Sequence, residues 1–194
     1  MENKKKSDKK NRIEEAACKQ FMEKGVAHTT IDEIVKGADV AKGTFYLYFK
    51  DKKDLLSTII VKRGSILLEE AMKFARQQKT DNFIDEIISI TDYIITFFEQ
   101  NKEILTLIEK NLSWSLLNQK ISQEEDSGFQ TFMDYWTTHP YMHSYSKSRS
   151  YHIMFIIIEL VGTICYTSII ENQPDTMENL RPALFFTIRQ ILSK

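Results

Sequence analysis

From Asn11 to Lys24 the apolar residues Ile13, Ala16, Ala17, Phe21 and Met22 recur three or four positions apart, and Gly25 follows where such a helix can close. Ile31, Ile34, Val35 and Ala38 repeat the spacing, with Asp32, Glu33 and Lys36 on the opposite side. Thr30 stands three residues before Glu33. That is the hydroxyl and carboxylate arrangement of a capping box, so a second helix opens at Thr30 and ends near Asp39. Beyond a tight turn, Val40 and Phe45 can pack inward. Lys42, Gly43, Thr44 and Tyr46 are then left facing outward at the start of a third, short helix, and Lys52 begins the next. Two short helices joined by a tight turn read as a helix-turn-helix, which makes duplex DNA the leading partner.

The periodicity continues to the end of the chain. A long helix is predicted from Lys52 to about Arg76, with Leu55, Leu56, Ile59, Ile60, Ile66, Leu67, Met72 and Phe74 on its buried side. Further helices are expected at about 81–100, 102–119, 127–138, 147–172 and 175–193. Pro140 stops the segment before it, and a loop runs through Ser150. There are six glycines, three prolines and no alternating apolar and polar runs bounded by turns. The fold class is therefore all-α, about nine helices. The small helix-turn-helix domain with its basic tail occupies 1–51, and a larger helical domain occupies 52–194. A domain of some 50 residues buries little surface alone and leans on its neighbour for stability.

Ile153 to Ile170 is apolar on nearly all sides, with Glu159 its one charge, and such a helix needs burial all round. A membrane span is one account of it, but Glu159, Thr163, Thr167 and Ser168 dilute the run. The better account sets one face on its own core and another on a partner subunit, with Gly162 allowing close approach. Leu180, Leu184, Phe185, Ile188, Ile191 and Leu192 on the last helix could complete a four-helix interface between two copies.

The outward group of the third helix suits a major groove. A lysine can donate to guanine O6 and N7, a threonine offers a hydroxyl and a methyl, and a glycine lets the backbone come close. Gly25 closes a first helix and is followed by Thr29-Thr30-Ile31-Asp32-Glu33-Ile34. Ala38-Asp39-Val40-Ala41-Lys42-Gly43-Thr44-Phe45-Tyr46-Leu47-Tyr48-Phe49 and Lys50-Asp51-Lys52-Lys53-Asp54-Leu55-Leu56 complete the set. Together these resemble the TetR family of bacterial transcription repressors, over roughly residues 9–60. The resemblance implies that Lys42, Gly43, Thr44 and Tyr46 read or approach bases and that Thr30, Tyr48 and Lys52 contact phosphates. Lys52 would sit at a helix start, where the dipole favours an anion. It also implies a homodimer through the last two helices, whose two recognition helices face successive major grooves of a roughly palindromic operator. Two positions depart from the pattern: Phe45 stands where the family often has Leu, and Leu47 where many members are polar or basic. Leu47 either touches a thymine methyl or packs.

The carboxy-terminal domain is where an effector would bind. Phe97, Trp114, Phe132, Trp136, Tyr151 and Phe155 belong to a strongly aromatic set that could line an apolar cavity for an apolar or aromatic small molecule, with Glu159, His152 or Glu109 as polar anchors. Each ring has ordinary core packing as its alternative. Glu159 is the sharpest candidate, because a lone carboxylate in an apolar helix is costly unless paired.

Charge sharpens the division. Residues 1–63 carry 15 Lys or Arg against 10 Asp or Glu, whereas 64–194 carry 11 against 17, an asymmetry that the net charge of −1 conceals. A basic amino-terminal third is what phosphate attraction needs. The tail Met1 to Lys10 is read as a flexible basic arm or as solubilising lysine, and with no apolar stretch it predicts a cytoplasmic protein. Cys18 and Cys165 form no CxxC pair, Pro140 interrupts the spacing of His139 and His143, and no nucleotide-binding or hydrolase fingerprint occurs. No enzyme, cofactor or metal is expected. The competing class is a helical small-molecule-binding protein without DNA-binding activity.

Overall fold

The computed structural model describes residues 2–78, 80, 82–111 and 128–193, the side chains of 2–7 and 109–111 excepted. Among these residues the fold is all-helical, as the periodicity predicts, with nine α-helices and one 3-10 turn. They are α1 (Glu2–Lys24), α2 (Ile31–Gly37), α3 (Lys42–Tyr46), α4 (Lys52–Gln77), α5 (Phe83–Gln100), α6 (Lys102–Asn111), α7 (Gly128–Thr138), the 3-10 turn Pro140–Ser144, α8 (Lys147–Ile169) and α9 (Met177–Leu192).

Most boundaries follow from local chemistry. The Asp51, Asn82 and Ser146 side chains accept the backbone N–H of Asp54, Asp85 and Arg149 and so open α4, α5 and α8. Gly25 closes α1 at φ 81°, a left-handed conformation that suits glycine. One boundary differs from expectation: α1 begins at Glu2, so the basic stretch is a helical extension. No glycine or proline occurs before Gly25, and lysine and glutamate are good helix formers. The expected loop before Ser150 is largely taken up by the 3-10 turn, opened by the His139 ring and Pro140.

Two apolar cores are strung on α4. The smaller joins Ile13, Phe21, Ile34, Phe45 and Phe49 to Leu55, Leu56, Ile59 and Ile60 from the start of α4 and Leu107 from α6. The small core thus extends past residue 51 into α4, and α6 touches it as well. The larger core takes Leu67, Leu68, Ala71, Met72 and Ala75 from the far half of α4, together with α5, α7, α8 and α9. Ile66 and Phe74, expected on the buried side of α4, are exposed, because they lie off the stripe that its two cores define.

Close approach of α7 to α4 depends on Gly128. A Cβ there would meet the Ser65 carbonyl oxygen at 2.2 Å, and the Gly128 N–H donates to the Ser65 hydroxyl at 2.5 Å. Helix α9 is tied to α5 by Arg181, which pairs with Asp92 and Glu99, and by Arg189, which pairs with Asp85 at 2.6 Å.

Helix α8 buries one face in its own chain and leaves another open. Ile153, Met154, Ile157, Val161, Cys165 and Ile169 face the larger core, whereas His152, Ile156, Glu159 and Thr163 form an exposed stripe. Burial holds the Cys165 thiol protonated, its pKa pushed up to about 12. On α9, Ala183, Phe186 and Gln190 are exposed. Ile156 is 51% exposed and Phe186 62%.

Candidate nucleic-acid interface

Helix α2 is fixed at its start by the predicted capping box. The Glu33 N–H donates to the Thr30 hydroxyl at 3.2 Å, and the Thr30 N–H returns a bond to the Glu33 carboxylate at 2.8 Å. Lys24 donates to the same carboxylate at 2.5 Å; this bond and those from Thr30 hold the Glu33 pKa down at about 2. At the other end Asp39 takes a left-handed φ of 50°, which Asp tolerates better than most side chains. The Arg12 guanidinium clamps that turn by donating to the Asp39 carbonyl at 2.9 Å and its carboxylate at 3.0 Å. The turn chemistry thus sets the angle at which α3 leaves α2.

On α3 one side is sealed by Phe45, fully buried and packed against Phe49 with ring centres 5.7 Å apart. The other side presents Lys42, Gly43, Tyr46 and Leu47 to solvent, with Thr44 half-buried between the two. Gly43 and Leu47 are one helical turn apart and share a face. A Cβ on Gly43 would meet nothing within 4 Å, so its surroundings are open to an approaching surface. Lys42 is paired with Asp32 of α2 at 2.8 Å, and that carboxylate raises the lysine pKa, which keeps it charged. Leu47 is 75% exposed and Tyr46 54%. The alternative that Leu47 packs inside is therefore excluded.

The three residues expected to meet phosphates are placed differently from one another. Tyr48 is half-buried beside the small core. Thr30 is exposed, but its hydroxyl and its N–H both donate to Glu33, so a phosphate would have to compete with that carboxylate. Lys52 is a tie within the domain: its ammonium donates to the Val26 carbonyl at 2.6 Å and the Thr29 carbonyl at 2.7 Å. The start of α4 is already occupied by carboxylates, with Asp51 accepting from the Asp54 N–H and Asp54 from the Lys50 N–H. Lys50 and Lys53 carry the exposed positive charge at this rim instead. The basic run Lys50 to Lys53 was legible in the sequence, but nothing in it distinguished the inward lysine from the outward ones.

The expected effector residues fall into separate environments. Phe132 and Trp136 meet in the larger core at 6.0 Å, and the Trp136 indole N–H donates to the Ser150 hydroxyl and carbonyl at 3.0 and 3.2 Å. Phe83 lies among Tyr135, Trp136, His139 and Tyr141 at 4.5–5.9 Å, a cluster anchored by Tyr135 donating to Glu86 and Tyr141 to the Leu192 carbonyl. Burial lowers the His139 pKa and raises those of Tyr135 and Tyr141. Phe97, Tyr151 and Phe155 are half-buried, while Glu159 and His152 face outward. Trp114 and the Glu109 side chain lie outside the described residues. Among the described residues, no group of three His, Cys, Asp or Glu could hold a metal ion.

Comparison with known proteins bears on this geometry. Residues 13–59, which hold α2, α3 and the turn between them, match the family described as bacterial regulatory proteins, tetR family. An HTH-type transcriptional regulator of Staphylococcus aureus strain bovine RF122/ET3-1 is 30% identical over 131 residues, 66% of this chain and 65% of that protein. A regulator of the same description from strain USA300 is 29% identical over 130 residues, again 66% and 65%. The match thus spans just under two thirds of the relatives' length. Among solved structures, the fatty acid degradation regulator FadR of Bacillus halodurans is similar with a TM-score of 0.63 and 17% identity, covering 93% of this chain and 94% of that one. FadR of Bacillus subtilis, solved in complex with stearoyl-CoA, gives 0.63 and 18%, covering 91% and 96%.

Proposed function

We propose, since this chain belongs to the tetR family of bacterial regulatory proteins, that it is a cytoplasmic transcription repressor which binds a palindromic operator as a homodimer and is released by a small-molecule effector. The observation that carries the DNA reading is α3 itself. Phe45 seals one side into the small core, and Lys42, Gly43 and Tyr46 project from the other. Such a helix, seated on a rigid core, can enter a major groove about 12 Å wide. Lys42 and Thr44 supply donors for base edges, Gly43 supplies close approach, and Lys50 and Lys53 lie where phosphates would pass.

The exposed stripe of α8 and α9 supports the dimer. Ile156 and Phe186 are large apolar side chains left uncovered by their own chain, and a second copy related by a twofold axis would cover both. Two α3 helices about 34 Å apart would then address successive grooves on one side of the duplex. Glu159 lies on this stripe, so the dimer contact is its reading before any ligand contact.

Effector release requires a ligand that binds one arrangement of the dimer better than the other. Helix α4 is suited to couple the two, since its first half belongs to the core that carries α3 and its second half to the larger core. The apolar interior and the stearoyl-CoA complex of the Bacillus subtilis relative favour an effector with a long apolar part.

Selection of bound fragments from a random DNA pool at about 150 mM salt tests the reading, because nonspecific phosphate attraction is reduced there. A twofold-symmetric site should be enriched. If no sequence is enriched, the chain is a helical binding protein without DNA-binding activity.

A further inference from the structure

We propose that Leu47 reads thymine, its side chain lying against the 5-methyl group of one thymine in each half of the operator. The inference rests on the DNA reading above and deepens it. Leu47 is among the most exposed large apolar side chains of the described chain, at 75%, and it adjoins Tyr46 on the outward side of α3. A single exposed leucine is ordinary on a protein surface, so its position carries the argument. Gly43, one turn earlier on the same face, leaves open space where a side chain would otherwise hold the helix away from its target. Behind Leu47, Phe45 and Phe49 fix the helix in the core, and the Leu47 N–H is bonded to the Thr44 carbonyl at 3.3 Å. The side chain is thus held by a rigid base at the rim of the helix, with no partner of its own chain covering it.

The chemistry of the groove selects the occupant. A leucine has neither donor nor acceptor for a base edge or a phosphate. The thymine methyl is the apolar group that an unmodified major groove presents. Lys42 at the other end of the short helix offers the complementary polar contact. The pair therefore reads a polar base edge and a methyl-bearing base within one half-site.

The test replaces each thymine of the selected operator, one symmetric pair at a time, with deoxyuridine, which keeps the base pair and removes only the methyl. Affinities are measured for the full-length wild-type protein and for Leu47→Ala. Loss of one buried methyl weakens binding about fourfold in each half-site, so about fifteenfold when both are changed. At one symmetric position the wild type should show that loss and Leu47→Ala should not, with an unchanged salt slope, because the contact is uncharged. Leu47→Gln, of similar length, should lose the same discrimination, and helical circular dichroism should be intact in both variants because residue 47 is exposed. Wild-type binding indifferent to deoxyuridine at every thymine overturns the proposal and leaves the DNA reading standing. A loss that persists undiminished in Leu47→Ala does the same. Failure to enrich any operator removes the DNA reading and this contact together.

Discussion

Lys42 and Lys52 are ten positions apart, both basic, and both were candidates for DNA contact, yet their surroundings differ. Lys42 is exposed and paired with the exposed Asp32, an interaction that solvent screens. Lys42→Ala should therefore leave the melting temperature nearly unchanged, weaken operator binding and relax the base preference at the position it meets in each half-site. Lys52 donates to two carbonyls from the loop between α1 and α2. Lys52→Ala should cost roughly 1–3 kcal/mol in urea unfolding, with little change in the salt slope. Glu33 gives a test by pH. Lys24 and Thr30 hold its folded pKa near 2, below the ordinary 4.5, so its contribution to stability is present above pH 4.5 and is lost as pH falls towards 2. Glu33→Gln should be less stable than the wild type at neutral pH, and thermal unfolding of the two should converge across that window.

At the scale of elements, two glycines that look alike in the sequence do opposite things. Gly43 has open space around it, and an alanine there is a better helix former by up to about 1 kcal/mol. Gly43→Ala should keep or raise stability while lowering operator affinity, since its methyl stands between α3 and the groove. Gly128 is wedged against backbone of α4. Gly128→Ala should push α7 off α4 and cost about 1–3 kcal/mol in chemical denaturation. The periodicity located both helices. It did not indicate which glycine sits at a helix crossing, because a crossing joins residues distant in the chain.

For the whole molecule, the decisive feature is the uncovered stripe on α8 and α9. Two large apolar side chains on it, Ile156 and Phe186, are left in solvent by their own chain. Phe186→Asp combined with Ile156→Asp places charge on both helices of this stripe. Sedimentation should show a monomer that keeps its helical circular dichroism, and operator affinity should fall at least a hundredfold, because one α3 grips a single groove. A double variant that still sediments as a dimer would place the association elsewhere. Helix α4 joins the smaller and larger cores, and α6 packs Leu107 into the smaller one.

The sequence by itself determined the features that depend on neighbours a few residues away. These are the capping box of Thr30 and Glu33, the turn at Asp39, the inward Phe45 and the all-helical plan, with most helix ends read to within a few positions. Each is set by helical spacing or by a side chain reaching its own backbone. Tertiary structure alone decided the bonds that span 23 positions from Lys52 to Thr29 and 89 from Arg181 to Asp92. It also decided which face of α8 is covered and where Glu159 points. A helix apolar all round gives no sign of which side its chain will bury, and a lysine at a helix start gives no sign of which carbonyls the fold will bring to it.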